Sequence, residues 1–195
     1  MPTSAACLRA FIAIELPDAL KAQIVRTQRE LAALLPPGAV RWTGPEQLHL
    51  TLRFLGDIPV ADLTQLAVAL RRACVGHAPC ELVAEGFGAF PGLDHPRVLW
   101  LGLGGDAQAV CRLQATIQAE TAGWGELEAR PFQPHLTLGR VKLLRPDQLW
   151  RVGQGIGELA PGRLGPFGVE AVTLVRSELT PAGAHHTTLA KVALE

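Results

Sequence analysis

The word His-Leu-Thr-Leu occurs twice in this chain of 195 residues, at 49–52 and again at 135–138. The copies stand 86 residues apart, close to half the chain. Successive side chains of a strand point to opposite faces, so each word sets its two leucines on one side and its histidine and threonine on the other. The leucines are natural core residues. His49, Thr51, His135 and Thr137 are then left for a groove or for solvent, and any fold must place two such strands.

The rest of the pattern supplies elements around them. Residues 8–16 form a short apolar run that reads as a buried strand. Pro17-Asp18 opens a helix with Leu20, Ile24, Leu31 and Leu34 or Leu35 on one face, and Pro36-Pro37-Gly38 ends it. A short strand is expected at 40–42 and a clear one at 49–54, closed by Gly56-Asp57. Val60, Leu63, Leu66, Ala67 and Leu70 recur at helical spacing. Residues 81–90 and 97–103 read as a hairpin turning at Pro91-Gly92. In the second half Asp106 caps a helix carrying Val110, Leu113 and Ile117. A Gly-rich loop at 123–125, the strand 135–139 and a short helix at 146–152 follow. A loose Gly/Pro-rich connection over 153–165 leads to a closing hairpin, 167–177 with 187–194, turning at Thr180-Pro181-Ala182-Gly183. Each half thus carries helices, strands and one copy of the repeated word. The order predicts an α+β fold over residues 1–195 as one bilobal unit. A pseudo-two-fold axis relates the lobes, and two antiparallel sheets face each other across a groove.

Charge narrows the function. Eighteen basic residues balance eighteen acidic ones. A zero net charge argues against a protein that tracks along many phosphates, and leaves one that grips a chain end or a small nucleotide. Cys7, Cys74, Cys80 and Cys111 form no Cys-x-x-Cys pair and match no zinc spacing, so they read as thiols of a reducing cytoplasm. Ser4-Ala5-Ala6-Cys7 has the look of a lipoprotein cleavage site, but no apolar run of signal length precedes it. No stretch has the length of a membrane span. The expectation is a soluble cytoplasmic protein, monomeric and without an obligate protein partner.

Two imidazoles and two hydroxyls converging on one groove suit phosphodiester cleavage. One imidazole can accept a proton while the other donates one, and threonine hydroxyls with an arginine can hold phosphoryl oxygens. A metal site is the rival reading. Two histidines alone make an incomplete zinc shell, and no Cys, Asp or Glu stands at ligand spacing beside them. No metal and no cofactor is therefore expected.

The paired His-x-Thr-x words resemble the mark of the two-histidine (2H) phosphoesterase superfamily. More narrowly, the chain resembles the RNA 2′,3′-cyclic phosphodiesterases, also called LigT-like 2′-5′ RNA ligases. The likeness runs through Arg9-Ala10-Phe11-Ile12-Ala13-Ile14, Val40-Arg41-Trp42, residues 47–56, Phe90-Pro91, residues 96–100, residues 134–140 and residues 174–179. It implies a bilobal fold with helices outside and a metal-free site between the sheets. It also implies hydrolysis of 2′,3′-cyclic phosphate ends of RNA or nucleotides to 2′-phosphates, with reversible ATP-independent 2′-5′ joining in many members. By the same resemblance His135 activates water, His49 protonates the departing 3′ oxygen, Thr51 and Thr137 hold the phosphate, and Arg140 neutralises phosphoryl charge. Two rival readings are a cyclic phosphodiesterase for a small nucleotide or ADP-ribose cyclic phosphate, and an RNA-end-binding module without turnover.

Several residues need separate expectations. Strand alternation turns Arg140 away from His135 unless Gly139 admits a bulge, and makes Arg53 the reserve arginine. Relatives often carry a tyrosine near His186, where this chain has His185-His186 and no tyrosine; a nucleobase contact there would alter substrate preference, but both histidines are expected as exposed hairpin residues. Trp42 and Phe11 are expected in the core rather than against a base, and His95 in an exposed turn. Arg41, Arg53 and Arg97 are equally consistent with a basic patch for RNA phosphates and with ordinary solvated arginines.

Overall fold

The computed structural model describes residues 6–158, 163–180 and 183–195. Strand β1 (Cys7–Glu15) is buried on both faces from Ala10 to Ile14, as its continuous apolar run requires. Helix α1 (Asp18–Leu34) starts after Pro17 and buries Leu20, Ile24, Gln28 and Leu31 along one stripe. Then come β2 (Val40–Trp42), a 3₁₀ turn at Pro45–Gln47, β3 (His49–Pro59), a second 3₁₀ turn at Val60–Asp62, and α2 (Leu63–Cys74). The middle of the chain forms β4 (Cys80–Phe90), β5 (Val98–Gly105) and α3 (Ala107–Glu120). The remainder forms β6 (His135–Val141), α4 (Pro146–Gly157), β7 (Leu164–Val169), β8 (Ala171–Thr180) and β9 (Gly183–Ala193).

Every strand pairing is antiparallel. One sheet has the order β3-β1-β8-β9 and the other β2-β6-β5-β4-β7. Helices α2 and α3 pack on strands β9 and β3 of the first sheet, while α1 and α4 pack on β7 and β4 of the second. This is the α+β arrangement of two antiparallel sheets facing a cleft with helices outside. The lobes are not the two halves of the sequence, however. The first sheet joins β1 and β3 to the C-terminal β8 and β9, and the second gathers strands from both halves. Among the described residues one continuous apolar core serves both lobes, from Ile12 and Leu50 through Leu99 and Leu136 to Val172 and Leu194.

Three local expectations need correction. Helix α4 runs to Gly157, well into the stretch read as a loose connection. Strand β7 follows, separate from β8, where a single strand from 167 was expected. Asp106 holds the N-cap position of α3 as expected, but its side chain makes no capping bond. Its Oδ2 accepts from the Glu81 backbone N–H at 3.0 Å, tying β4 to the helix start. Residues 1–5, with Ser4 and Ala5, residues 159–162 of the connection, and Pro181-Ala182 of the closing turn lie outside the described residues. No helix among the described residues is long and apolar enough to cross a membrane.

Candidate active site

Strands β3 and β6, which open with the two repeated words, lie against each other where the sheets come together. On the second-sheet side, buried Gln28 of α1 is tied to the β2–β6 edge. Its Nε2 donates to the carbonyls of Thr43 at 2.9 Å and Leu138 at 2.8 Å. Leu50, Leu52, Leu136 and Leu138 are all buried, while His49, Thr51, His135 and Thr137 are half-buried on the opposite face, the cleft face.

Each word ends in a bulge at its second leucine. In β3, Thr51 pairs with Ala13 and Arg53 with Ile12, leaving Leu52 as the extra residue. In β6, Thr137 pairs with Trp100 and Gly139 with Leu99, leaving Leu138 extra. A bulge reverses the alternation beyond it. Arg53 consequently turns into the core, where it is buried. One guanidinium nitrogen donates to Thr121 Oγ1 and to the Gln118 carbonyl at 3.3 Å, and the other to the Trp124 carbonyl at 2.7 Å. Arg53 is thus no candidate for the cleft; it braces the C-terminal end of α3. The same reversal brings Arg140 onto the face of His135 and Thr137, in register with Val98. Gly139 is needed there, since a Cβ would run into Val40 and the Arg41 carbonyl.

Around His49 the first sheet builds an aromatic cluster. Phe11 stacks on the imidazole with ring centres 4.7 Å apart, and His186 meets both rings edge-on, 5.3 Å from His49 and 5.0 Å from Phe11. Phe11 is buried, but with Ala13 and Val175 on the cleft side rather than in the main core. Desolvation, and then the neighbouring His186, lower the His49 pKa from its ordinary 6.5 to about 4, against a hydrogen bond with the Gln47 backbone. His186 is lowered as well, by burial and by His185.

His135 has different surroundings. Phe90 meets its ring edge-on at 4.9 Å, and Trp100 lies 6.4 Å away. The indole covers Gly88, where any Cβ would collide with it, and its N–H is buried without an acceptor. Nδ1 of His135 is 2.7 Å from the Gln133 carbonyl oxygen. A carbonyl can only accept, so Nδ1 carries the proton and Nε2 of the neutral ring keeps its lone pair. Both histidines are therefore held by the backbone of a glutamine two positions earlier, and the repeated word extends to Gln-x-His-Leu-Thr-Leu.

A family model described as LigT like phosphoesterase matches residues 14–100 and 105–185. This chain belongs to the LigT-like phosphoesterase family. An RNA 2′,3′-cyclic phosphodiesterase of Methanothermobacter thermautotrophicus is 36% identical over 92% of this chain and 95% of its own length. One of Thermus thermophilus is 32% identical over 96% and 90%. The crystal structure of E. coli LigT complexed with 3′-AMP superposes with a TM-score of 0.76 at 26% identity, covering 97% of this chain and 99% of that one.

His186 of this LigT-like phosphoesterase, expected as an exposed hairpin residue, is half-buried beside His49. It enters the site because β9 pairs with β8 and β8 with β1, setting His186 on the cleft face beside Phe11. A cavity of about 190 Å³ opens there, with Phe11, Glu15, Lys21, Glu46, His49, His186 and Thr188 among its walls; His135 stands outside it. Trp42 packs against the main core as expected. His95 and Arg97 are exposed, and His77 contacts Thr116 Oγ1 at 3.1 Å, away from the cleft. Among the described residues no three His, Cys, Asp or Glu side chains cluster as metal ligands.

The depressed His49 pKa has a consequence for stability. Between pH 6.5 and about 4 the unfolded chain binds a proton that the folded LigT-like phosphoesterase resists. This contribution is complete above pH 6.5 and is lost as the pH falls toward 4; His186 acts in the same direction. Urea denaturation of wild type and His49→Asn at pH 7, 5.5 and 4.5 measures it. Wild type should lose more stability over this range than the variant, and parallel losses would refute the linkage.

Proposed function

We propose that this chain hydrolyses 2′,3′-cyclic phosphate ends of RNA or nucleotides to 2′-phosphomonoesters, without a metal, by paired histidine acid–base catalysis. The observation that carries the proposal is the matched pair of Gln-x-His-Leu-Thr-Leu strands. Each presents one backbone-anchored imidazole and one hydroxyl on the cleft face at the meeting of the two sheets. The names of the relatives support the same substrate class.

The residues divide the reaction as follows. His135 Nε2 takes a proton from water as the water oxygen bonds to phosphorus. The bond from phosphorus to the 3′ oxygen breaks, and His49 delivers a proton to that oxygen. Thr51, Thr137 and Arg140 donate hydrogen bonds to the non-bridging oxygens as their charge grows. The 2′ oxygen keeps the phosphate. An RNA 5′-hydroxyl in place of water runs the same displacement to a 2′-5′ link, with no ATP in the balance.

His49 is neutral in the free site at pH 7, since its pKa is about 4. The proton it delivers is gained with the anionic substrate beside it, which favours the imidazolium. Turnover of a 2′,3′-cyclic nucleotide in chelator, followed by phosphorus NMR and across pH, tests this. A single 2′-phosphomonoester is expected. The alkaline limb of kcat/KM, which reports the free enzyme, should lie at lower pH than that of kcat. A 3′-phosphate product, or activity abolished by chelator, would overturn the reading. Coincident limbs would remove the acid role from His49.

A further inference from the structure

Arg41 and Arg140 face each other directly across the β2–β6 pairing, and both are exposed. Opposed residues of an antiparallel pair project from the same face, with Cβ atoms about 5 Å apart. The flanking pairs, Val40 with Val141 and Trp42 with Gly139, turn toward the core. Arg41 and Arg140 therefore stand together on the cleft face, in the strand system that carries His135 and Thr137.

Like charges directly opposite each other destabilise a sheet. Nothing in the described structure relieves this pair. Strands β2, β5 and β6 contain no Asp or Glu. Neither guanidinium enters an ion pair, whereas exposed Arg72, Arg130, Arg145, Arg163 and Arg176 each reach a carboxylate. The first sheet differs: its cavity is of mixed charge, with Glu15 and Glu46 beside Lys21, and Lys191 reaches Glu15 at 3.5 Å. The two unrelieved arginines give their wall of the cleft a local positive field, which fits more negative charge than one reacting phosphate brings.

We infer that Arg41 binds the phosphodiester next to the reacting end, so that the enzyme selects a cyclic-ended oligonucleotide over a cyclic mononucleotide. The inference rests on the function proposed above. Arg140 serves the reacting phosphoryl group. Arg41, one strand further toward the sheet edge, takes the next phosphate, and a guanidinium grips two oxygens of such a group. The contact is to the backbone, so it selects length rather than base sequence.

The test compares wild type and Arg41→Gln on two ligands by fluorescence anisotropy: a labelled tetranucleotide ending in a 3′-phosphate, and a nucleoside 3′-monophosphate as competitor. The variant should weaken the tetranucleotide about tenfold more than the mononucleotide. It should also flatten the dependence of log affinity on log salt by about 0.7, the share of one single-strand phosphate. Arg41→Lys should restore most of that slope. The ratio of kcat/KM for cyclic-ended tetranucleotide over cyclic mononucleotide should fall by a similar factor in Arg41→Gln. Equal weakening of both ligands, or no change in either, overturns the inference. Should wild type turn over neither cyclic substrate, the functional reading fails, while the anisotropy comparison still decides the role of Arg41.

Discussion

His49→Ala and His135→Ala are each expected to lower kcat/KM on a 2′,3′-cyclic phosphate by about 10²–10⁴-fold, the range of a positioned acid or base. Far-UV circular dichroism should stay that of wild type, because both rings lie on the cleft face while the leucines of their strands hold the core. The double variant should fall little below the worse single one, since an acid and a base serving one displacement act as a unit. Steady-state kinetics at saturating and limiting substrate check all three. Activity within a few-fold of wild type in either single variant would remove that histidine from the chemistry.

Arg53→Met is expected to strike stability instead. It withdraws the donors that satisfy Thr121 Oγ1 and the Gln118 and Trp124 carbonyls, and it takes a cation away from the C-terminal end of α3, where the helix dipole favours one. Buried acceptors left unpaired cost about 1–3 kcal/mol each, and a chain of this size loses roughly 2–4 °C of melting temperature per kcal/mol. A fall of about 6 °C or more, the low end for three acceptors, follows by calorimetry. Below the transition, turnover per folded molecule should remain near wild type. A large loss of turnover with an unchanged melting temperature would return Arg53 to the site.

The fold class was legible because the apolar patterns are strong. The run at 8–16, the helical stripe from Leu20 to Leu31 and the inward leucines of both words each admit one reading. Strand β7 was not, since Leu-Gly-Pro-Phe-Gly-Val carries the residues that mark loops. The choice between the arginines could not be made from alternation alone. Alternation favours Arg53 over Arg140 only in a regular strand, and a one-residue bulge inverts the answer. Its position depends on the register with β1 and β5, which no local pattern encodes. The burial of His186 was likewise not readable from local pattern. This residue lies 137 positions from His49 in sequence, and two strands, β1 and β8, stand between theirs in the sheet.

The interleaving of the two sheets bears on how this molecule is made. As the polypeptide leaves the ribosome, β1 and β3 emerge early, yet β1 waits for β8 along its second edge. Until then the Phe11 face lacks Val175 and His186 beside it. Contacts of such long sequence separation form slowly and leave apolar strand edges open meanwhile. The pocket around His49 is therefore among the last parts to close, and a nascent chain that already holds both repeated words is still without it.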